Sequence, residues 1–366
     1  MRYYIIAGEA SGDLHGSNLI KAIHKQDTDA EIRCWGGDRM EAAGATLVKH
    51  YRDLAFMGFV EVIKHLGTIF SNIKFCKEDI LRFQPDVLVL IDYPGFNMRI
   101  AEWAKQQQIK VAYYISPQIW AWKEGRVKKI KRDVDKMLVI LPFEEAFYRR
   151  WEYKVIYVGH PLIEVVSREK EIPVAPIADR PVVALLPGSR KQEIQVKLPE
   201  MLKMVKYFPD YQFVVAEAPS MPDEVYRELI GSENVLLAKD QTYNLLKQAK
   251  AALVTSGTAT LETALFGVPQ VVCYKGNAVS YWLAKRLVKV KYISLVNLIM
   301  DKPVVTELIQ EDLNEEKLKE ELDKLLHNNA HLRQLKDDYN ELWHQLGNTP
   351  ASSTAAKEII QLAEGK

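Results

Sequence analysis

Val87-Leu88-Val89-Leu90-Ile91-Asp92-Tyr93-Pro94-Gly95-Phe96-Asn97 is the stretch from which the fold is read. Five apolar residues run without interruption and stop at an aspartate, a proline and a glycine. A short, continuous apolar run bounded by turn residues marks a strand covered on both faces, the situation of a parallel sheet. Helical periodicity follows over 97–108. The same alternation extends outward in both directions. Strands are expected at 3–7, 31–35, 86–91, 111–115, 137–141 and 155–158, with a further helix at 143–151. The stretch 167–180 is charged, carries two prolines and shows no period, so it reads as a linker. Strands then resume at 182–186, 212–216, 235–237, 252–255 and 270–273, and from Asn314 onward the chain reads as helical. Two successive βαβ runs imply an α/β protein with two facing, Rossmann-like, doubly wound parallel-sheet domains and a cleft between them. The expected division is a first domain at 1–166, a linker at 167–180, a second domain at 181–345 and a C-terminal helix at 346–366. That last helix would pack back on the first domain or on a partner subunit.

Composition narrows the function. The 366 residues suggest two domains at roughly 150 residues each. A formal charge of only +1 argues against a general nucleic-acid coat, and no nucleic-acid partner is expected. Cys34, Cys76 and Cys273 are odd in number and far apart, which excludes a disulfide framework or a CxxC metal site. The N-terminus turns polar too early for a signal peptide, and no apolar run approaches the ~18 residues needed to span a bilayer. A cytoplasmic protein that can rest on a membrane is expected.

Gly8, Gly12 and Gly16 are spaced GxxxGxxxG, not GxGxxG, and no GxxxxGK[ST] occurs. Nicotinamide or flavin dinucleotides and P-loop nucleotide chemistry are therefore disfavoured, and no cofactor is expected. Asp133-Val134-Asp135 is a DxD triplet of the kind that holds a divalent ion in some sugar transferases; its plain reading is a solvated loop.

Five strand-end stretches carry chemistry. Ala7-Gly8-Glu9-Ala10-Ser11-Gly12-Asp13 joins glycines, two carboxylates and a helix start; an ordinary βα turn is the alternative. Asp92 emerges at the carboxyl end of a buried strand, where ligands bind in such sheets. Apolar walls would raise its proton affinity and suit it to act as a base, whereas a helix N-cap is the plain reading. Tyr113 to Trp122 holds two tyrosines and two tryptophans, with Ser116, Trp120 and Trp122 as candidates to line a sugar or acyl chain, or to pack the core. Leu186-Pro187-Gly188-Ser189-Arg190 and Ser256-Gly257-Thr258-Ala259-Thr260-Leu261-Glu262 lie on two strand ends of one domain. Together they describe a nucleotide-diphosphate site, with Glu262 placed for a ribose.

Taken in this order, the stretches resemble the lipid-A-disaccharide synthase family. The resemblance runs over nearly the whole chain and includes Val158-Gly159-His160-Pro161, Pro142-Phe143-Glu144, Trp282-Leu283-Ala284-Lys285-Arg286, Tyr292-Ile293-Ser294-Leu295 and Asn297-Leu298. It implies a GT-B-type glycosyltransferase fold with UDP held mainly by the second domain. The implied reaction joins UDP-2,3-diacylglucosamine to 2,3-diacylglucosamine 1-phosphate with inversion, releasing UDP and using no metal. The catalytic candidates are Asp92, Glu9 and Asp13. Gly8, Ser11, Gly12, Ser116, Trp120 and Trp122 fall on the acceptor side. Gly188, Ser189, Arg190, Ser256, Gly257, Thr258, Glu262 and Asn297 fall on the UDP side. Family members commonly have Asp where this chain has Gly95 and Thr where it has Ala10. The first departure favours Asp92 as the base; the second removes a hydroxyl contact.

The competing readings are another GT-B UDP-sugar enzyme, such as an epimerase or a different glycosyltransferase, and a non-catalytic nucleotide or lipid carrier. Asp92, Glu9 and Arg190 together disfavour the carrier. The acylated substrates imply an anionic membrane surface as partner, on the cytoplasmic face of the inner membrane; a homodimer stays open. Within 56–75, Phe59, Val62, Ile63, Leu66, Ile69, Phe70 and Ile73 form an apolar stripe at helical spacing, with Lys64, His65 and Lys74 among them. Lys123, Arg126, Lys128, Lys129, Lys131 and Arg132 form a basic run. Stripe and run suit an interfacial surface, or equally a core-facing helix and a solvated face.

Overall fold

The computed structural model describes residues 1–54, 66–122, 124–219, 221–277, 290–347 and 349–365. The chain divides into two compact units, Met1–Pro161 with Gly347–Lys366, and Leu162–Leu346. The first contains β1 (Arg2–Ala7), β2 (Glu31–Gly36), β3 (Thr46–His50), β4 (Val87–Ile91), β5 (Val111–Tyr114), β6 (Lys136–Val139) and β7 (Ile156–Tyr157). They form one sheet in the order β3-β2-β1-β4-β5-β6-β7, parallel throughout. The second contains β8 (Val182–Leu186), β9 (Gln212–Glu217), β10 (Val235–Lys239), β11 (Ala249–Thr255), β12 (Gln270–Tyr274) and β13 (Thr306–Ile309). Its order is β10-β9-β8-β11-β12-β13, again all parallel.

Each order reverses once. From β1 the chain builds outward through β2 and β3, then returns to place β4 on the other side of β1. From β8 it builds through β9 and β10, then returns with β11. Crossovers on the two sides put their helices on opposite faces, so a crevice opens at the carboxyl ends of the two central strands. Those ends carry Gly8–Asp13 and Asp92–Asn97 in one unit, and Pro187–Arg190 and Ser256–Thr258 in the other.

Of the central strands, β4 and β8 are buried along their whole length, as their unbroken apolar sequence requires. Beneath the first sheet, Asp79 accepts Tyr4 Oη at 2.7 Å and both Arg33 Nε and Nη2 at 2.8 Å, and Trp35 Nε1 donates to Tyr4 Oη at 2.9 Å. This network ties β1 and β2 to the helix Leu66–Phe83.

Several expectations are corrected. The helix Pro161–Glu171 takes in the first part of the stretch read as linker. Its charged residues form the solvent face of a helix whose Leu162, Ile163, Val165 and Val166 are buried, and the units divide at Pro161 rather than at residue 166. Strands β3 and β13 escaped the sequence reading because both are short, half-buried and mixed in polarity. The Asp133–Asp135 triplet is no solvated loop: Asp133 is buried and paired with Arg132 at 2.6 Å, and Asp135 engages Lys105 and the Val111 amide. In the apolar stripe, Ile73 faces the core with Cys76 and Ile80, whereas Phe70 is 60% exposed. Phe59, Val62, Ile63, Lys64, His65, Lys123 and 282–286 lie outside the described residues.

The last helix, Ala351–Glu364, belongs to the first unit. Its Ala355, Ala356 and Ile359 are fully buried in the cluster that holds Leu19, Ile23 and Val158. Lys136 pairs with Glu358 at 2.8 Å, and Lys110 Nζ donates to the Ala363 carbonyl at 3.0 Å. Ile359→Ala is therefore expected to cost the first unit about 2–5 kcal/mol. Urea denaturation measures it, and a loss under about 1 kcal/mol would mean that this helix does not close the core.

Candidate functional site

At the end of β4 the backbone makes an unusual turn. Asp92 has φ +44° and Tyr93 has φ +50°, two consecutive left-handed residues that are not glycine. Each such residue costs on the order of 1–3 kcal/mol and persists only where its surroundings over-determine it. Here they do: the Asp92 carbonyl accepts Asn97 Nδ2 at 2.8 Å and Tyr113 Oη at 2.6 Å. Asn97 Nδ2 also reaches the Ile91 carbonyl at 3.1 Å. The helix that follows, Pro94–Gln106, has Tyr93 in its N-cap position, with no side-chain cap hydrogen bond. The capping role open to Asp92 is therefore not taken, and its carboxyl is left for other work. Burial, then the negative charge of Glu9, push that carboxyl up to about 6, against a lowering hydrogen bond from the Tyr93 amide.

The end of β1 supplies the other wall. Gly8 is required because a Cβ there would overlap the Tyr93 ring. Glu9 stands at the N-cap position of the helix Ala10–Gln26 in extended geometry, half-buried, and no side chain caps this helix start. Ser11 is exposed in the first turn, and Gly12 lets the helix approach Ala7 closely. Asp13, read as a catalytic candidate, is a correction. It is buried and accepts the amides of Gly37, Met40 and Arg39 at 2.8, 3.0 and 3.2 Å. Its carboxylate accepts three backbone amides at the start of the helix Asp38–Ala42, so its observed work is to anchor that loop.

The aromatic stretch divides by burial. Tyr113 and Tyr114 are inside the sheet. Ser116 is buried, 2.6 Å from the Tyr148 hydroxyl. Trp120 is buried edge-on against Phe143, with centroids 4.9 Å apart. Only Trp122 remains at the surface, 47% exposed, with the Arg126 guanidinium 5.9 Å from its ring. Glu144 is buried, accepts the Leu141 amide at 3.0 Å, and is pushed up to about 7 by burial. His160 is pushed down to about 3, by burial first and His15 second, and is neutral at physiological pH.

In the second unit, Gly188 has φ +121°, and a side chain there would run into Glu193. Glu193 Oε2 accepts the Ser189 amide at 3.3 Å, and its Oε1 lies 3.6 Å from Arg190, whose guanidinium is largely exposed. Ser256 Oγ donates to the Ile293 carbonyl at 2.9 Å. Gly257, at φ +147°, occupies the N-cap position of the helix Thr258–Leu265. Glu262 accepts the Tyr243 hydroxyl at 2.7 Å, and burial holds its carboxyl above the usual range. Glycine turns at helix starts, a guanidinium and hydroxyls at one sheet crevice suit a diphosphate. Asn297 does not join them. It is buried, donates to the Val305 carbonyl and Glu307, and accepts the Val305 amide, each at 2.9 Å. Its amide is fully engaged in holding β13.

The sequence reading missed Asn97 and Tyr113 as supports of Asp92, and it missed Lys197 altogether. Lys197 has a legible signal: a lysine among the buried Ile194, Leu198 and Met201 of the helix Lys191–Leu202.

The family model described as lipid-A-disaccharide synthetase matches residues 3–362. A protein of Trichlorobacter lovleyi named lipid-A-disaccharide synthase is 38% identical, covering 99% of this chain and 98% of its own length. Namesakes from Geobacter metallireducens and Coxiella burnetii are 39% and 37% identical, covering 99% and 98% of this chain and 97% of each relative. Among solved structures, the UDP-GlcNAc 2-epimerase of Neisseria meningitidis bound to UDP-GlcNAc superposes with a TM-score of 0.69 at 13% identity, covering 100% of both chains. A calicheamicin glycosyltransferase gives 0.62 at 15% identity, covering 100% of this chain and 98% of its own. At such identities these structures establish the GT-B architecture of two parallel-sheet domains, and no more.

Carbon-detected NMR of the Asp92 carboxyl should show a midpoint of about 6. Glu9→Gln should lower it, because a like charge is removed, yet leave it above the ordinary 3.8, because burial persists. A wild-type midpoint near the unperturbed value of about 4 would contradict the electrostatics described.

Proposed function

The chain belongs to the lipid-A-disaccharide synthetase family, and from that premise we infer that it is a glycosyltransferase joining UDP-2,3-diacylglucosamine to 2,3-diacylglucosamine 1-phosphate. The acceptor's 6-hydroxyl attacks the anomeric carbon of the donor. The bond from that carbon to the UDP oxygen breaks, the α-linkage becomes β, UDP leaves with the bonding pair, and the hydroxyl proton passes to a base. Asp92 is that base. The observation that carries the assignment is its carboxyl: uncapped, clamped by Asn97 and Tyr113 through its own carbonyl, and raised to about 6. At neutral pH it is mostly ionised, yet basic enough to take a proton in the transition state. Glu9 acts on Asp92 by charge, and the exposed Ser11 and Trp122 are offered to the acceptor. Departing UDP is received by Gly188, Ser189 and Arg190, and by the amides at Ser256, Gly257 and Thr258, with Glu262 on the ribose.

Asp92→Asn should reduce turnover by about 10²–10⁴-fold while UDP binding survives. In the wild type, activity should rise with pH through about 6 as Asp92 deprotonates, and then level. Initial rates of UDP release with the acylated monosaccharide phosphate test both. A loss under about fivefold would move the base to Glu9.

A second part of the reading concerns the acylated substrates. Among the described residues no helix is long and apolar enough to cross a membrane. Docking on an anionic surface is supported by Phe70 and Trp122, large apolar side chains left exposed. It is also supported by Arg126, Lys128 and Lys129, which face solvent while Val127 and Ile130 are buried. Lys131 and Arg132 contribute less, since they bond the Trp151 carbonyl and the carboxylates of Asp133 and Glu102. Each cation near an anionic surface contributes about 1 kcal/mol. Reversing Lys128 and Lys129 to Glu should abolish salt-sensitive flotation with anionic vesicles, and Phe70→Ser should weaken flotation at high salt. Flotation indifferent to both changes would remove this surface from the membrane.

A further inference from the structure

Lys197 is 3% exposed, on a face of the helix Lys191–Leu202 otherwise given to core packing. A buried ammonium ordinarily pairs with a carboxylate, because burial penalises its charge. Among the described residues none pairs with Lys197. Its Nζ donates to Thr255 Oγ1, and it lies 5.7 Å from the centroid of the Tyr274 ring. Glu193, one turn earlier on the same helix, is already directed at the Ser189 amide and Arg190. The neighbouring Cys273 thiol is pushed up to about 12 by burial and carries no charge at neutral pH. An ammonium has three donors, so capacity remains after the bond to Thr255.

The place of this cation matters. Thr255 is the last residue of β11 and immediately precedes Ser256-Gly257. The same helix sends Glu193 to the Gly188–Arg190 turn and Lys197 to the neck of the Ser256–Thr258 turn. One helix therefore reaches the Gly188–Arg190 loop and the end of the strand that leads into Ser256–Thr258.

We propose that Lys197 is a diphosphate-recognising residue of the donor site, its ammonium anchored by Thr255 and supplying the buried positive charge that a nucleoside diphosphate meets. The inference rests on the reading of the two loops as the UDP site. It adds a cation to Arg190, with a different role: Arg190 is exposed and screened by solvent, whereas the field of Lys197 acts in a poorly solvated interior.

Calorimetry on the full chain with uridine, UMP and UDP tests this. Lys197→Met removes the charge, Lys197→Gln removes it while keeping a donor for Thr255, and Lys197→Arg keeps it. Both neutral variants should lose UDP affinity by about 10- to 100-fold, the range for hydrogen bonds to a charged group, and UMP affinity by less. Uridine binding should stay within about twofold, and Lys197→Arg should recover most of the UDP loss. UDP binding unchanged in both neutral variants overturns the proposal. So does a parallel fall for uridine and UDP, which would make Lys197 a strut for β11. The underlying reading fails separately: if Arg190→Ala/Glu262→Ala leaves UDP affinity intact, the nucleotide binds elsewhere.

Discussion

At the centre of each sheet two parallel strands part company. Ala7 is in register with Ile91, and Leu186 with Val254, yet the connections that follow these strands leave toward opposite faces. The ladder runs out just beyond these ends: the Asp92 amide still donates to the Tyr114 carbonyl of β5 at 3.1 Å, and the residues after it turn into a helix. Whatever stands there must satisfy itself through a helix start, a tight turn or a ligand. The site residues of both units follow from this constraint. Glycine recurs at the two crevices because the chains must pass close to one another: Gly8 lies under the Tyr93 ring, and Gly188 against Glu193.

Carboxylates in this unit divide by what solvates them. Asp13 receives amides from Gly37, Arg39 and Met40, so the protein has replaced its water and fixed it as an anchor. Asp79 is buried too, but shares its charge with Arg33 and a tyrosine hydroxyl. Asp92 is half-buried and has lost part of its water, with the Tyr93 amide in exchange. The side-chain bonds that hold it, from Asn97 and Tyr113, reach its carbonyl, and they stabilise a left-handed turn that aims the side chain. Rigid backbone and under-solvated side chain together give the properties the proposed base needs: its position is set while its proton affinity is raised.

The sequence made the crevices legible because the strands leading to them are buried on both faces. Five apolar residues in a row at β4 and β8 have few other readings, and the glycine-bearing turns after them fix the polarity of each strand. Edge strands lacked that signature: β3 and β13 present one wet side, and their half-polar residues blur into loop. Polar residues at turns were ambiguous for a deeper reason. Asp13 and Asn297 sit in sequences as suggestive as that of Asp92, and whether an oxygen faces a ligand or a neighbouring amide is settled by long-range packing. Asn97 and Tyr113 were invisible as supports because their partner is a main-chain carbonyl, which no side-chain pattern encodes. Residues 167–171 were misread because a charged helix face, cut off from its buried Leu162–Val166 face, resembles a linker.

The resemblance to the lipid-A-disaccharide synthase family places an aspartate in many members where this chain has Gly95. In this chain a Cβ at Gly95 would meet nothing within 4 Å, and its φ lies outside the left-handed region, so the backbone makes no demand for glycine. A carboxylate at that position would project into solvent from the first turn of the helix Pro94–Gln106, beside free amides and the positive end of the helix dipole. Solvent and dipole both favour its ionised form and lower its proton affinity, the reverse of what burial and Glu9 do at Asp92. Losing that aspartate therefore removes a screened negative charge of low proton affinity, and leaves the carboxyl of raised proton affinity, Asp92, where it was. The turn tolerates glycine at 95 because its backbone strain sits at Asp92 and Tyr93, and nothing packs against position 95.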